Sequence, residues 1–400
     1  MFSALLAYQL IDVMLALALT AFVAQLAALA PVRRLAARHP VLLGTELRRI
    51  LLLEVPLLLV LLVGPLGLGR GVVAPALAGG FVFLERFAPG ASSISFLWVG
   101  VAFWCLAAIV PLRLAWRTLR SHAGRFERRL ALALLAAAAL LVVDVTLIEP
   151  ARLVVERAAV PLPGWPEGRP PLKAVLFSDV QSGRLTGHER RLVEAVGALA
   201  PDLILDAGDL VAQSFDEALP IEQARFVLSS LKAPLGVFVV NGDVDDTVPG
   251  GIRRIVEGTG ARLLENESVL LPCDPPVELA GFDPREEAGY RRHLRAPPLA
   301  AIRIALVHRP RHYAEIGAAG FCAVFAGHTH GGQIVIPGFG PPVTLEVVPR
   351  AIAAGGLHRM ENGTQLYVTR GVGVEGGFAP RIRFCCPPEI SALALGPASR

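Results

Sequence analysis

Lysine is nearly absent from this chain. Only Lys173 and Lys232 occur, so almost all of the 38 basic residues are arginine. Charge of either sign is scarce: 18% of residues are charged, 54% are hydrophobic and the mean hydropathy is +0.55. The formal net charge is only +4, and much of the arginine sits in the first 150 residues. Much of the basic excess thus belongs to that part of the chain and is weak evidence for a nucleic-acid partner; none is expected. C-x-x-C pairs are also missing. The five cysteines are Cys105, Cys273, Cys322, Cys385 and Cys386, a pattern that excludes a zinc knuckle or a thioredoxin-like motif. An exterior location would permit a disulfide, but no spacing names a pair, and the adjacent Cys385 and Cys386 read as packing residues. No Lys or Arg precedes the first apolar run, which is too long for the core of a signal peptide, so "ALA" at 28–30 is not read as a cleavage site. No repeated acidic motif or inverted repeat marks a transport path. Asp12, Glu54 and Asp144, within or at the ends of apolar segments, therefore read as partners of loop arginines or as interfacial groups.

What is present changes character near Pro150. Before it, apolar segments at 4–30, 50–68, 94–112 and 130–148 are each long enough to cross a bilayer. A shorter run at 71–84 carries Pro75, Gly79 and Gly80 and reads as interfacial or re-entrant. The first loop holds Arg33, Arg34, Arg38, Arg48 and Arg49; the third holds Arg113, Arg117, Arg120, Arg125, Arg128 and Arg129; the second holds only Arg70 and Arg86. Arginine marks cytoplasmic loops, so four spans would place everything after Pro150 outside the cytoplasm. The expectation is a multi-pass protein of a bacterial inner membrane, in contact with the lipid bilayer, with a periplasmic or extracellular C-terminal domain.

After the Pro/Gly-rich connector "PLPGWPEGRPP" at 161–171, strands and helices alternate. Strands are expected at 173–179, 202–209, 236–243, 302–308 and 322–328, and helices at 188–199, 221–231, 251–257 and near 313–316. This pattern is that of an α/β domain. "RLLENESVLL", "PVELAGF", "QIVI", "QLYVTR" and "EISALAL" lack intervening helices and suggest antiparallel additions, hence a mixed sheet or two stacked sheets. The division expected is 1–150 transmembrane, 151–172 linker and leading strand, and 173–400 catalytic-type domain.

Each alternating strand ends in a residue that can hold a metal: Asp179, Asp209, Asp243, His308 and His328, with His330 following. In open α/β sheets, ligands bind outside the carboxyl ends of strands. Any one of these residues alone could be a turn residue or a satisfied core histidine, but the set is hard to explain structurally, because uncompensated buried carboxylates are costly. In "FAGHTHGGQ" at 325–333, alternate residues project to the same side of an extended segment. His328 and His330 could then reach one metal or two neighbouring ones. Gly331 and Gly332 allow a sharp turn.

The order Asp179, Gly208-Asp209, Asn241-Gly242-Asp243-Val244-Asp245, His308 and Gly327-His328-Thr329-His330-Gly331-Gly332-Gln333 resembles the calcineurin-like metallophosphoesterase superfamily, in particular its membrane-associated bacterial branch with GHTHGGQ. The resemblance covers about 173–395 and includes "RGVG…PRIRFCCPPEI" at 370–390. It implies a four-layer α/β/β/α sandwich and two divalent metal ions, of the Mn, Zn or Fe type. One site would take Asp179, Gln181, Asp209 and His330. The other would take Asp209 as a bridge, with Asp243, His308 and His328. The implied reaction is hydrolysis of phosphate mono- or diesters by metal-activated hydroxide, on lipid- or cell-envelope-linked substrates if the domain is exterior.

Three departures stand out. Gln181 occupies the histidine place of the Asp-x-His motif. In "NGDVDD", Gly242 aligned on the glycine of Gly-Asn-His-Asp puts Asp243 at the asparagine ligand and Val244 at the catalytic histidine. Valine donates no proton, and a positioned acid typically contributes about 10²–10⁴-fold. Asp245 is the candidate substitute, with Asp246 and His312 as others. The alternative reading is a metal-binding pseudoenzyme or sensing domain on a membrane anchor; a transporter with an accessory domain is a third.

Overall fold

The computed structural model describes residues 110–120, 124–182, 187–212, 218–248, 250–342, 346, 348–375 and 381–397. The apolar segments at 4–30, 50–68 and 71–84, the first two loops, Cys105 and nearly all of 94–112 lie outside them. The chain divides into two compact units between Leu147 and Ile148.

In the first unit, α1 (Val110–Arg120) precedes α2 (Arg125–Val143). The α2 sequence "RFERRLALALLAAAALLVV" is almost all strong helix formers, and the Glu127 carboxylate accepts the Gly124 N–H at its start. The helix widens into one π turn, Asp144–Ile148, where the Thr146 hydroxyl donates back to the Val142 carbonyl at 2.6 Å. It then runs through α3 (Glu149–Ala151). Together Arg125–Ala151 is 27 residues, long and apolar enough to cross a bilayer. Leu132, Leu140 and Leu147 on it are exposed. Among the described residues it is the one helix of that kind, and it contains the fourth expected span.

The second unit holds two six-stranded mixed sheets. The first is ordered β1 (Val154–Pro161), β12 (Glu389–Gly396), β2 (Leu172–Phe177), β3 (Leu203–Asp206), β4 (Val237–Val239), β5 (Arg262–Leu263). The second is ordered β10 (Gly356–Arg359), β11 (Gln365–Val368), β9 (Ala323–Ala326), β8 (Ile302–Val307), β7 (Val277–Phe282), β6 (Glu267–Leu271). β2, β3, β4 and β5 are mutually parallel, as are β7, β8, β9 and β11. Parallel strands are covered on both faces and read as continuous apolar runs; β3, β8 and β9 are buried throughout.

Side chains alternate between the two faces of a strand, and here they sort into three clusters. Leu176, Leu205 and Phe238 of the first sheet meet Leu279, Leu306 and Phe325 of the second. On the outer face of the first sheet, Val175, Ile204 and Val239 pack with Leu192 of α4 (Gly187–Leu199), Val227 of α5 (Ala218–Ser230) and Ile252 of α6 (Gly251–Val256). On the outer face of the second, Ala280, Val324 and Leu366 pack with Tyr290 of α7 (Glu287–Leu294), Ile316 of α8 (Tyr313–Ala318) and Ile352 of α9 (Arg350–Ala353). The layers are helix, sheet, sheet, helix.

The expectation of antiparallel additions is corrected in part. β12 and β6 do run antiparallel to β2 and β7. However, β5 is parallel to β4, β7 to β8 and β11 to β9. The crossover from β7 to β8 carries α7, "EAGYRRHL", which buries only Gly289 and Tyr290 and so has no apolar stripe to read. "QIVI" forms no strand, only isolated bridges, Ile334 to Phe384 and Ile336 to Gly340. Cys273, Cys322, Cys385 and Cys386 hold no disulfide. Cys386 is buried as expected of a packing residue, whereas Cys385 is exposed.

One ion pair is sealed in the second sheet. Glu278 and Arg303 are register partners on β7 and β8. Arg303 Nε donates to Glu278 Oε2 at 2.8 Å, with side chains 8% and 2% exposed. Ser268 and the Leu299 N–H also donate to the carboxylate. Against burial, which raises it, these donors hold the Glu278 pKa below its ordinary value. Its stabilisation is therefore present above the unfolded carboxyl's pKa of about 4.3 and is lost as pH falls through the lower folded value. Glu278→Ala leaves a buried guanidinium uncompensated. It should lower unfolding stability at pH 7 by about 3–5 kcal/mol, read from urea unfolding of the detergent-solubilised chain.

Candidate metal centre

The carboxyl ends of β2, β3, β4, β8 and β9 deliver Asp179, Asp209, Asp243, His308 and His328 to one place. The donor atoms of Asp209, His308 and His328 all lie within 4.8 Å of one another, and all three residues are buried. Asp209 Oδ2 is 3.3 Å from His308 Nε2. Asp243 Oδ2 is 3.1 Å from His328 Nδ1 and 3.6 Å from His308 Nε2. His328 Nδ1 and His308 Nε2 are 3.2 Å apart.

His308 Nδ1 lies 2.7 Å from the Ala207 carbonyl. A carbonyl only accepts, so Nδ1 carries the proton and Nε2 turns toward Asp209 and Asp243. Metal-binding histidines are commonly oriented this way, with the second ring nitrogen donating to a carbonyl. Burial lowers the His308 pKa, but Asp209 and Asp243 outweigh it and raise it well above the ordinary imidazole value. Asp243 is held low for the complementary reason: His328 and His308 overcome its burial. The field at this spot favours positive charge.

Asp179, Gln181 and His330 form a second group. Asp179 Oδ2 accepts the His328 N–H at 2.9 Å and a bond from the Ser178 hydroxyl. Its Oδ1 lies 3.3 Å from His330 Nε2. Gln181 Nε2 is 3.2 Å from the same nitrogen. Burial raises the Asp179 pKa, but the facing His330 holds it below the carboxylate range. Asp179 Oδ1, Gln181 Oε1 and His330 Nδ1 are buried without a hydrogen-bond partner. Such oxygens fit a cation, as do the mixed oxygen and imidazole donors of both groups.

The backbone bears the same mark. Asp179, Gln181, Asp209, His328 and His330 all have positive φ, between 46° and 68°. Non-glycine residues rarely adopt this region, and such strain clusters at functional sites. Glycine is required at the junction of β3 and β4. A Cβ on Gly242 would come within 2.1 Å of Asp209 Oδ1, and one on Gly208 within 2.7 Å of the Gly242 nitrogen. That contact lets the Val244 N–H reach Asp209 Oδ1 at 2.8 Å.

Asp245 does not face the donors as an open acid, contrary to expectation. It is fully buried and accepts backbone N–H bonds from Asp209, Val211 and Gly242 at 2.9, 3.2 and 3.0 Å. Burial and the Asp209 charge push its pKa up to about 7. It thereby ties the loop at 209–211 to the loop at 242–245. Asp246 accepts from Asn241 and lies 3.4 Å from Arg285, and His312 packs edge-on against Tyr290. Val244 is half-buried and brings no polar side-chain group.

Two residues at the site were missed in the sequence. Arg309 donates to Asp243 Oδ2 from Nε at 2.8 Å and lies 2.7 Å from it through Nη2. A charged residue next to His308 was the available signal. Asp243 in the place of a neutral ligand is thus accompanied by a guanidinium that offsets its charge. Glu375 accepts from Gln181 Nε2 at 2.7 Å, and nothing in its local sequence advertised it.

No family model matches the chain. Among curated proteins, an uncharacterized metallophosphoesterase of Campylobacter jejuni is 28% identical over 242 residues, which is 56% of this chain and 59% of that protein. The Escherichia coli phosphodiesterase YaeI is 29% identical over 203 residues, 49% of this chain and 70% of its own length. A zebrafish transmembrane protein with a metallophosphoesterase domain is 27% identical over 256 residues, 59% of this chain and 56% of that one. The chain thus spans somewhat over half the length of the Campylobacter and zebrafish relatives. The calcineurin-like phosphoesterase YfkN of Bacillus subtilis aligns at a TM-score of 0.27 and 12% identity, over 40% of this chain and 72% of that one. By sequence, the chain is similar to proteins named metallophosphoesterases and to a phosphodiesterase.

Proposed function

We propose that this protein is a membrane-anchored, metal-dependent phosphoesterase acting on phosphate mono- or diesters. The observation that carries this reading is the convergence of Asp209, His308 and His328 donors within 4.8 Å, with His308 oriented by the Ala207 carbonyl. Asp209, Asp243, His308 and His328 would hold one divalent ion; Asp179, Gln181, His330 and the shared Asp209 would hold another. Bound there, such ions supply Lewis-acid activation of water and of the phosphoryl oxygens. The remaining work falls to the chain. Asp245 and the glycine contact hold the ligand loops together, and Arg309 neutralises Asp243. Among the described residues beside Val244, Asp245 is held by three backbone N–H donors and Asp246 by Asn241 and Arg285, so ester turnover is slow and favours good leaving groups.

That same gap supports the second reading, a metal-binding pseudoenzyme. Hydrolysis of bis(p-nitrophenyl) phosphate by the purified full chain loaded with Mn²⁺ separates the two. Turnover that vanishes on metal removal supports the enzyme; metal binding without turnover supports the pseudoenzyme.

The multi-pass anchoring in a bacterial inner membrane and the exterior orientation rest on the arginine asymmetry, supported by the apolar Arg125–Ala151 helix and the transmembrane relative. A lipid- or envelope-linked phosphate ester would then be the accessible substrate. An alkaline phosphatase reporter fused after Arg400 should be active, and a fluorescent protein that matures only in the cytoplasm should be dark. The reverse pattern would overturn the orientation.

A further inference from the structure

We propose that Glu375 is a metal ligand. In this reading it completes the position of Asp179 and His330, supplying an anionic oxygen where Gln181 has replaced an imidazole. The inference rests on the two-ion reading above and adds a residue to it.

The side chain is in place. Glu375 Oε2 lies 2.7 Å from Gln181 Nε2 and 3.9 Å from His330 Nε2. Asp179 Oδ1 is 3.3 Å from that same imidazole nitrogen. Two oxygens of this group, Asp179 Oδ1 and Gln181 Oε1, are buried with no hydrogen-bond partner. With its nitrogen donating to Glu375, the Gln181 amide leaves its oxygen for a cation.

The segment carrying Glu375 is also built into the site. Its own N–H donates to Gln333 Oε1 at 2.8 Å, and Gln333 is fully buried. Two residues earlier, the Gly373 N–H donates to the Asp179 carbonyl at 2.6 Å, and the Val372 N–H to the Ser178 carbonyl at 3.0 Å. The buried Arg383 guanidinium donates to the Gly373 carbonyl from Nε at 3.0 Å and Nη2 at 2.6 Å. A Cβ on Gly371 would come within 2.8 Å of Asp179 Cβ. Glu375 is therefore anchored to the backbone of the metal-binding loop.

The consequence is selectivity. With Glu375 the position offers oxygens from Asp179, Gln181, Glu375 and the shared Asp209, against one imidazole. The other position offers two carboxylates and two imidazoles. Carboxylate and carbonyl oxygens suit Mg²⁺ and Mn²⁺, whereas imidazole suits Zn²⁺ and Fe²⁺. The Glu375 position should take the harder ion of an unlike pair.

The test uses the full chain in detergent, stripped of metal and titrated with Mn²⁺, with bound Mn²⁺ counted by elemental analysis and by loss of the free-ion EPR signal. Wild type should bind two equivalents. Glu375→Ala should bind one, and Glu375→Gln should weaken the second by more than the ~10–100-fold typical of losing an outer hydrogen-bond partner. Glutamine keeps an acceptor for Gln181, so a residue that merely orients Gln181 would leave E375Q near wild type; that result overturns the proposal. Gln181→His in the Glu375→Ala background should restore the second equivalent. Unchanged circular dichroism and a retained first equivalent show that the variants fold. If wild type binds two ions and both Glu375 variants do as well, Glu375 is not a ligand while the two-ion site stands. If wild type binds none, both readings fail together.

Discussion

Val244→His should raise turnover of an alkyl phosphodiester by about 10²-fold or more, the low end of what a positioned acid contributes, and turnover of a p-nitrophenyl ester by no more than a few-fold. The difference follows from the leaving groups. An alkoxide leaves poorly without a proton, whereas a nitrophenolate needs little help. The backbone at this position suits the change: Val244 has φ −95° and ψ −22°, and its N–H is already bonded to Asp209 Oδ1. An imidazole there would project from a residue whose N–H is bonded to Asp209, the proposed bridging ligand. Asp245 cannot take over the role, since its oxygens accept three backbone N–H bonds. Steady-state rates on a matched aryl and alkyl pair decide the matter. Equal gains on both esters would mean that proton delivery is not what limits the reaction.

His328→Ala should remove the more tightly held ion and reduce hydrolysis by more than about 100-fold, beyond the effect of losing an outer partner. His328 faces both His308 and Asp243, at 3.2 and 3.1 Å. Gln181→Ala should cost less metal, because a carboxamide is the weaker donor. Alanine at φ 68° is strained, so His328→Asn serves as the control, asparagine being at ease in that region. Elemental analysis of the wild type and the three variants checks the order. Equal metal in wild type and both His328 variants would refute the ligand assignment.

The proposed ligands were legible because each follows a buried apolar strand whose end is forced to the sheet's carboxyl edge. Asp179, Asp209, His308 and His328 needed only strand periodicity and chemistry to be found. What the sequence concealed depends on contacts between distant segments. Glu375 reaches Gln181 across 194 residues, through a loop fixed by Arg383, and no local pattern encodes that. Asp245 looked like an acid because a carboxylate beside a ligand motif is ambiguous; only its three N–H donors reveal its structural use. The helix α7 was hidden by its polarity, since it buries one glycine and one tyrosine. Its absence from the sequence reading made β7 look antiparallel.

In the proposed reading, these residues hold metal for phosphoester hydrolysis. The most direct measurement is the metal content of the purified full chain, taken together with its turnover of bis(p-nitrophenyl) phosphate before and after chelation. Two equivalents of divalent metal are expected, with a slow hydrolysis that chelation abolishes and Mn²⁺ restores. A chain that binds no divalent metal under these conditions, or that hydrolyses the ester equally well after complete chelation, would contradict it.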